Sequence, residues 1–177
     1  MKPRYEDAVE RAGVIKLLAA FDPHIAGTPP LGIDVPTSDI DVLCHVSRPV
    51  EFTTALWSSF STREEFRIRQ WLGRDRAVIA SFSAHGWRFE IFGQDRPVAE
   101  QAGWRHFVIE RRLLQLGGPA FRVEVLRMRG QGLKTEPTFA SLLGLKGDPY
   151  RALLDIDAWT DDRLGLLLAE AGFAPEI

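Results

Sequence analysis

The sequence predicts an α+β fold, with strands crowded into its first half and helices filling the second. Stretches rich in alternating or β-branched apolar residues fall at 39–46, 66–71, 77–82 and 87–92, whereas beyond Gly93 the apolar residues recur at helical spacing. No strict strand–helix alternation runs through the chain, so a doubly wound parallel sheet is not expected. With 177 residues, 45% of them hydrophobic and 26% charged, the chain is long enough to bury a core as one domain, or as one domain with a helical extension.

The elements follow in order. Tyr5 to Phe21 carries Val9, Ala12, Ile15 and Leu18 on one stripe and reads as a helix that ends at Asp22-Pro23. Ile25 to Ile33 is broken by Gly27, Pro29, Pro30 and Gly32 and reads as a short strand or loop. Pro36-Thr37-Ser38 is a turn. Asp39 to Val46 is a strand and Val50 to Phe60 a helix. Phe66 to Trp71, Ala77 to Phe82 and Trp87 to Phe92 are strands, the last two joined across His85-Gly86. Val98 to Leu116 is a long helix closed by Gly117-Gly118-Pro119. Phe121 to Met128, Thr138 to Leu145, Asp148 to Leu154 and Thr160 to Glu170 are short helices. The expected organisation is a core over 1–95 and a helical region over 96–177 packed on it, or the two as a single domain.

Several classes are disfavoured. The net charge of −2 provides no global basic field for nucleic acid. The single cysteine, Cys44, allows no intrachain disulfide and no cysteine-rich zinc site, and its apolar setting marks it as a buried small hydrophobe. "MKPRYEDAVE" lacks the apolar core of a signal peptide. No stretch approaches the ~18 apolar residues of a membrane span, so a cytoplasmic protein without a membrane partner is expected.

The chemistry concentrates in "GTPPLGIDVPTSDIDVLC", Gly27 to Cys44. Asp39 and Asp41 share one face of their strand, with α-carbons roughly 6.6 Å apart, while Ile40 and Val42 enter the core. Two carboxylates near 4 Å repel by about 4 kcal/mol at an effective dielectric of 20, a penalty that a hard cation removes. Mg²⁺, or Mn²⁺ in its place, suits so sparse an oxygen site because it also takes water and substrate phosphates. "WRFEIFG" places Trp87, Phe89 and Ile91 on one face and Glu90 on the other, so Glu90 is the candidate third carboxylate. The simpler alternatives are Asp39 as a turn residue and Glu90 in a salt bridge with Arg88 on a wet face. Gly27 lets a backbone approach a ligand closely, and the Thr28 hydroxyl with neighbouring N–H groups can grip a triphosphate oxygen.

Gly27-Thr28, then Asp39-Ile40-Asp41-Val42 on a strand, then Glu90 on a later strand resembles the polymerase-beta-type nucleotidyltransferase superfamily. Within it, "WRHFVIERRLL", "GLKTEPTFASLLGLKGDPY" and the overall length resemble a bacterial nucleotidyltransferase-like family of unknown function. The resemblance implies a small mixed nucleotidyltransferase-type sheet with packed helices and a helical C-terminal half. It implies catalytic and metal-binding roles for Asp39, Asp41 and Glu90, and nucleotide contacts at Gly27 and Thr28, to which Ser38 in the adjoining turn is added. Thr28 departs from the Ser or Gly usual there. The partners implied are a nucleoside triphosphate and an acceptor hydroxyl on a small molecule, a protein or a nucleic-acid end. "DIDVL" also matches phosphatase-type Asp-x-Asp motifs, but there the apolar strand precedes the first Asp, whereas here "VPTS" does.

Other residues carry weaker expectations. Arg122, Arg127, Arg129 and Lys134 stand against Glu124 alone, a local balance of +3 that reads as a solvated helix face or a phosphate clamp, with Lys134 able to reach a triphosphate. His106 and Glu110, four apart on the long helix, lack the second histidine of a zinc motif, and His106 is expected either on the helix surface or in a supporting position behind a ligand. Asp34 reads as a loop residue. Trp57, Trp71, Trp87, Trp104 and Trp159 are expected in the core. The rival function is a nucleotide-binding or toxin–antitoxin-like interaction module that keeps the fold without turnover.

Overall fold

Apolar alternation on five short segments produces one mixed sheet in a computed structural model that describes residues 2–70 and 77–173. The strands are β1 (His24–Ala26), β2 (Ile40–His45), β3 (Glu64–Gln70), β4 (Val78–Ala84) and β5 (Trp87–Gln94), in the order β1-β2-β5-β4-β3. β2 and β5 are parallel, and the other neighbours are antiparallel. A parallel pair needs a crossover; here it is α3 (Pro49–Phe60) followed by β3 and β4. The sheet is mixed and helices pack against it, as the sequence predicts.

The chain divides into two compact units, Met1–Pro30 with Pro36–Gln101, and Leu31–Val35 with Ala102–Ile177. In the first, one sheet face meets α1 (Tyr5–Ala12), α2 (Val14–Leu17) and α3 in a core that includes Ile40, Val42, Cys44, Ala80, Phe89 and Ile91, all fully buried. Phe60, Phe82 and Phe89 stack in sequence, with centroids 4.8 and 4.9 Å apart. The single helix expected over 5–21 is instead broken at Gly13, whose left-handed φ of 69° ends α1 and whose N–H caps it on Glu10 and Val9. The chain then bends and returns Val14 and Leu18 to the core. The His85-Gly86 turn forms as expected, both residues at positive φ (52° and 77°), the geometry of a two-residue hairpin.

The second unit contains α4 (Ala102–Leu116), α5 (Gly118–Gly130), α6 (Thr135–Leu142), α7 (Pro149–Ile156) and α8 (Asp161–Glu170). α4 starts later than expected because Val98–Glu100 forms a separate 3-10 turn. Gly118 and Pro119 open α5 rather than close α4, since Pro is accommodated in a first helical turn. Phe121, fully buried, meets Phe139 and Phe173 edge to face. Arg112 binds the chain between α7 and α8, donating to the carbonyls of Asp157 (2.7 Å) and Trp159 (2.6 Å) and to the Asp161 carboxylate. Asp148 and Thr160 cap α7 and α8, each accepting a backbone N–H three residues on.

Of the described tryptophans only Trp87 is buried; Trp57 is 60% exposed and Trp104 and Trp159 are half-buried, which corrects the core expectation for those three. Trp71, and with it the end of the strand expected over 66–71, lies outside the described residues. Among the described residues no helix is long and apolar enough to cross a membrane.

Candidate active site

The sheet face opposite the helices of the first unit carries the polar residues. Because Ile40, Val42, Cys44, Phe89 and Ile91 enter the core, Asp41 on β2 and Glu90 on β5 point the other way. The two are register partners on adjacent parallel strands, and neighbouring strands lie about 4.8 Å apart. Their carboxylates therefore stand side by side in the middle of the sheet.

Gly27 packs against Asp41. It follows β1, whose Ala26 is paired with Asp41, and it has a φ of 80°. A β-carbon at this position would collide with the Asp41 carboxylate oxygen Oδ2. Both facts demand glycine. Beyond it, the Thr28 hydroxyl donates to the Ser38 hydroxyl at 3.0 Å, tying the loop after β1 to the turn before β2. Lys2 donates to the carbonyls of Pro36 (3.2 Å) and Ser38 (2.8 Å) and lies over the Trp87 ring, 3.5 Å from its centre, while the Trp87 indole N–H donates to the Pro3 carbonyl. Nothing in the sequence singled out Lys2.

Asp39 stands one residue before β2, its carboxylate 35% exposed and 3.7 Å from Arg88 Nε. Burial pushes its carboxyl up, and Arg88 and Lys2 pull it only partly back down. The sequence offered Glu90 as partner for Arg88; the structure pairs Arg88 with Asp39 instead. The cause is placement on two strands, since Arg88 and Glu90 are neighbours only along β5. Among the described residues no group of three or more His, Cys, Asp or Glu lies close enough together to hold a metal ion. Asp41 and Glu90 are thus brought together, and Asp39 is turned toward a guanidinium.

The donor set suits a hard divalent cation. It offers carboxylate oxygens and hydroxyls, and no thiol, since Cys44 faces the core and burial pushes its thiol up to about 12. A cation there would offset the like charges of the adjacent Asp41 and Glu90 carboxylates. Of the three expected ligands the structure brings only Asp41 and Glu90 together; Asp39 would join them at a cation only on leaving Arg88.

The second unit has a polar cluster of its own. His106 is 9% exposed, which corrects the helix-surface alternative: its Nε2 donates to the Tyr150 carbonyl at 2.8 Å, and its Nδ1 lies 3.8 Å from Glu136. Glu110, one turn later, is 4% exposed. Burial pulls the Arg129 guanidinium down, while Glu110, Glu136 and Asp34 hold it up. Arg122 donates to the carbonyls of Leu31 and Gly32, and Arg127 pairs with Glu124 at 2.7 Å. The stretch counted as +3 is therefore largely committed to internal contacts. Lys134 precedes α6, where its carbonyl accepts from the Thr138 hydroxyl at 2.8 Å.

The model of the family described as Domain of unknown function (DUF4269) matches residues 7–156. The chain belongs to this family. No curated protein matches the sequence. Among solved structures, the DUF4269 chain is similar to Cid1, described for its RNA terminal uridylyl transferase activity, with a TM-score of 0.55 and 11% identity over 84% of this chain and 44% of that one. Cid1 poly(U) polymerase bound to MgGTP gives a TM-score of 0.55 and 12% identity over 85% and 47%. The GLD-2/RNP-8 complex gives 0.52 and 11% over 92% and 72%. The DUF4269 chain spans less than half the length of the Cid1 chains it matches. At these identities the likeness shows the nucleotidyltransferase-type fold.

Proposed function

We propose that this DUF4269 protein is a divalent-metal-dependent nucleotidyltransferase that moves a nucleoside monophosphate from a nucleoside triphosphate to an acceptor hydroxyl. The observation that carries the reading is the in-register pair Asp41 and Glu90 on parallel strands, backed by a glycine that only a glycine can replace. Cid1 supports the choice of substrate, having been solved with MgGTP bound.

Asp41 and Glu90, with Asp39 swung away from Arg88, would hold Mg²⁺ or Mn²⁺. Bound there, the metal supplies charge neutralisation at the attacking and leaving oxygens. The Gly27-Thr28 loop and Ser38 hold the triphosphate through backbone N–H groups and hydroxyls. Glu90 accepts the acceptor's proton as its oxygen bonds to the α-phosphorus and the bond to pyrophosphate breaks. The catalytic core is assigned to residues 1–95, with 96–177 as its helical region, and the reaction to the cytoplasm of a bacterium, where a free thiol such as Cys44 stays reduced.

The test is pyrophosphate release with Mg²⁺ and each nucleoside triphosphate, including self-modification as an acceptor reaction. Turnover lost in Asp41→Asn and Glu90→Gln is expected; turnover unaffected by both would overturn the reading. The Asp39–Arg88 pair favours one second reading, a nucleotide-binding interaction module in which Asp39 never reaches a metal. Tight MgNTP binding with no turnover under any condition would decide for it.

A further inference from the structure

On the same sheet face as Glu90, toward β3, lies an open recess of about 50 Å³ lined by Glu65, Arg67, Ser81, Phe82, Ser83 and Arg88. We propose that this recess binds the oxyanion, a phosphate monoester in chemical class, of a small acceptor molecule. The assignment rests on the nucleotidyltransferase reading above and names the acceptor class that reading leaves open.

The recess is built by a deliberate irregularity. Glu64 pairs with Ser83 and Arg67 with Ser81, so Glu65 and Phe66 together oppose Phe82 alone. This is a β-bulge, and it holds Glu65 at a φ of 53°. A left-handed conformation is unfavourable at a non-glycine residue. What it gains is a re-aimed side chain: Glu65 accepts the Ser83 hydroxyl at 2.7 Å and forms one wall. Bulges are over-represented beside active sites for this reason.

The lining then supplies donors. Arg67 and Arg88 bring two guanidinium forks, the geometry that matches phosphate oxygens in pairs. Ser81, only 9% exposed, adds a hydroxyl at the floor. Glu65 is the only carboxylate of the lining, and its Oε2 is engaged by Ser83. Arg88 also faces Asp39 at 3.7 Å, so Arg67 carries the oxyanion contact unless Asp39 is drawn away to a metal.

Position assigns the role. Ser81 is the register partner of Glu90, and Glu90 that of Asp41. The Gly27-Thr28 loop follows β1 on the far side of the same pair. The carboxylates are therefore flanked by the nucleotide loop on one side and by the recess on the other. A group held between β3 and β5 lies within about 10 Å of Glu90, two strand spacings. A small molecule with its phosphate in the recess can place a hydroxyl at Glu90. The recess holds one group, whereas a nucleic-acid strand requires a groove that tracks successive phosphates.

The test is a ³¹P NMR titration of the full chain with inorganic phosphate, without metal or nucleotide and at constant ionic strength. Saturable binding is expected, weakened at least tenfold by R67Q and severalfold by S81A, with R67K intermediate because it keeps the charge and loses the fork. R151Q, at an exposed position of α7, serves as the charge-matched control and should change nothing. Absence of saturable binding, or equal binding by wild type and R67Q, would overturn the proposal. MgATP binding is measured on the same wild-type sample. If MgATP binds and phosphate does not, the recess assignment alone fails; if MgATP fails to bind, the acceptor assignment falls together with the nucleotidyltransferase reading. An octanucleotide that binds more tightly than phosphate, and loses that affinity in R67Q, would replace the small acceptor with a nucleic-acid end.

Discussion

The Asp41 carboxylate occupies the space where the first side-chain atom of residue 27 would stand. Gly27 also has a φ of 80°. Gly27→Ala therefore strains the backbone and displaces the aspartate. A stability loss of about 1–3 kcal/mol is expected, with pyrophosphate release reduced at least tenfold. Denaturant unfolding of G27A, D41A and the double variant checks the origin. The cost of G27A should shrink in the D41A background, where the space is vacated; an unchanged cost would place the strain elsewhere.

Asp41 and Glu90 are like charges on neighbouring strands. Removing one charge relieves repulsion when no cation is present. D41N in chelator-treated buffer should melt at or above the wild-type temperature. Saturating Mg²⁺ should then reverse the order, since a ligand at 100 times its Kd stabilises by about 2.7 kcal/mol. A thermal melt of both proteins with and without Mg²⁺ reads both effects, and a large metal-free loss in D41N would mark Asp41 as a structural partner instead.

Arg129 faces Glu110, Glu136 and Asp34, and Glu110 is 4% exposed. Arg129→Met leaves a buried carboxylate uncompensated, at a cost of about 3 kcal/mol. Arg127→Met removes a partner of Glu124 at an exposed i,i+3 pair and should cost under about 1 kcal/mol. Urea unfolding of the two variants side by side measures the contrast, and similar losses would show that the Arg129 cluster is effectively solvated.

The Cys44 thiol is pushed up to about 12 by burial, and further by Asp22. Below pH 9 it is protonated in both folded and unfolded chains. Between pH 9 and 12 only the unfolded chain loses the proton, so stability falls as pH rises. From pH 8 to pH 10 this amounts to about 1.4 kcal/mol. The stability difference between wild type and C44A should narrow by that amount, and native protein should resist thiol reagents at pH 8.

Periodicity made the fold legible where one face of an element is buried. Ile40, Val42, Phe89 and Ile91 alternate cleanly because their strands divide core from polar face, and this also set Asp41 and Glu90 on one side. The helix expected over 5–21 failed at Gly13, where a local backbone choice overrides a continuing apolar stripe. The bulge at Glu65 left no compositional mark, because it shifts register without changing residue type. The partner of Arg88 was not readable, since register between strands decides it and sequence adjacency favoured Glu90. His106, Glu110 and Arg129 looked like surface charges because burial with mutual compensation resembles exposure in a sequence.

Lys2 and Pro3 lie across Trp87 and the turn that presents Ser38. An affinity tag fused ahead of Lys2 is consequently not a neutral handle, because it loads the strap that sets the Ser38 backbone. Protein bearing such a tag should differ in nucleotide affinity from the same preparation after the tag is cleaved away.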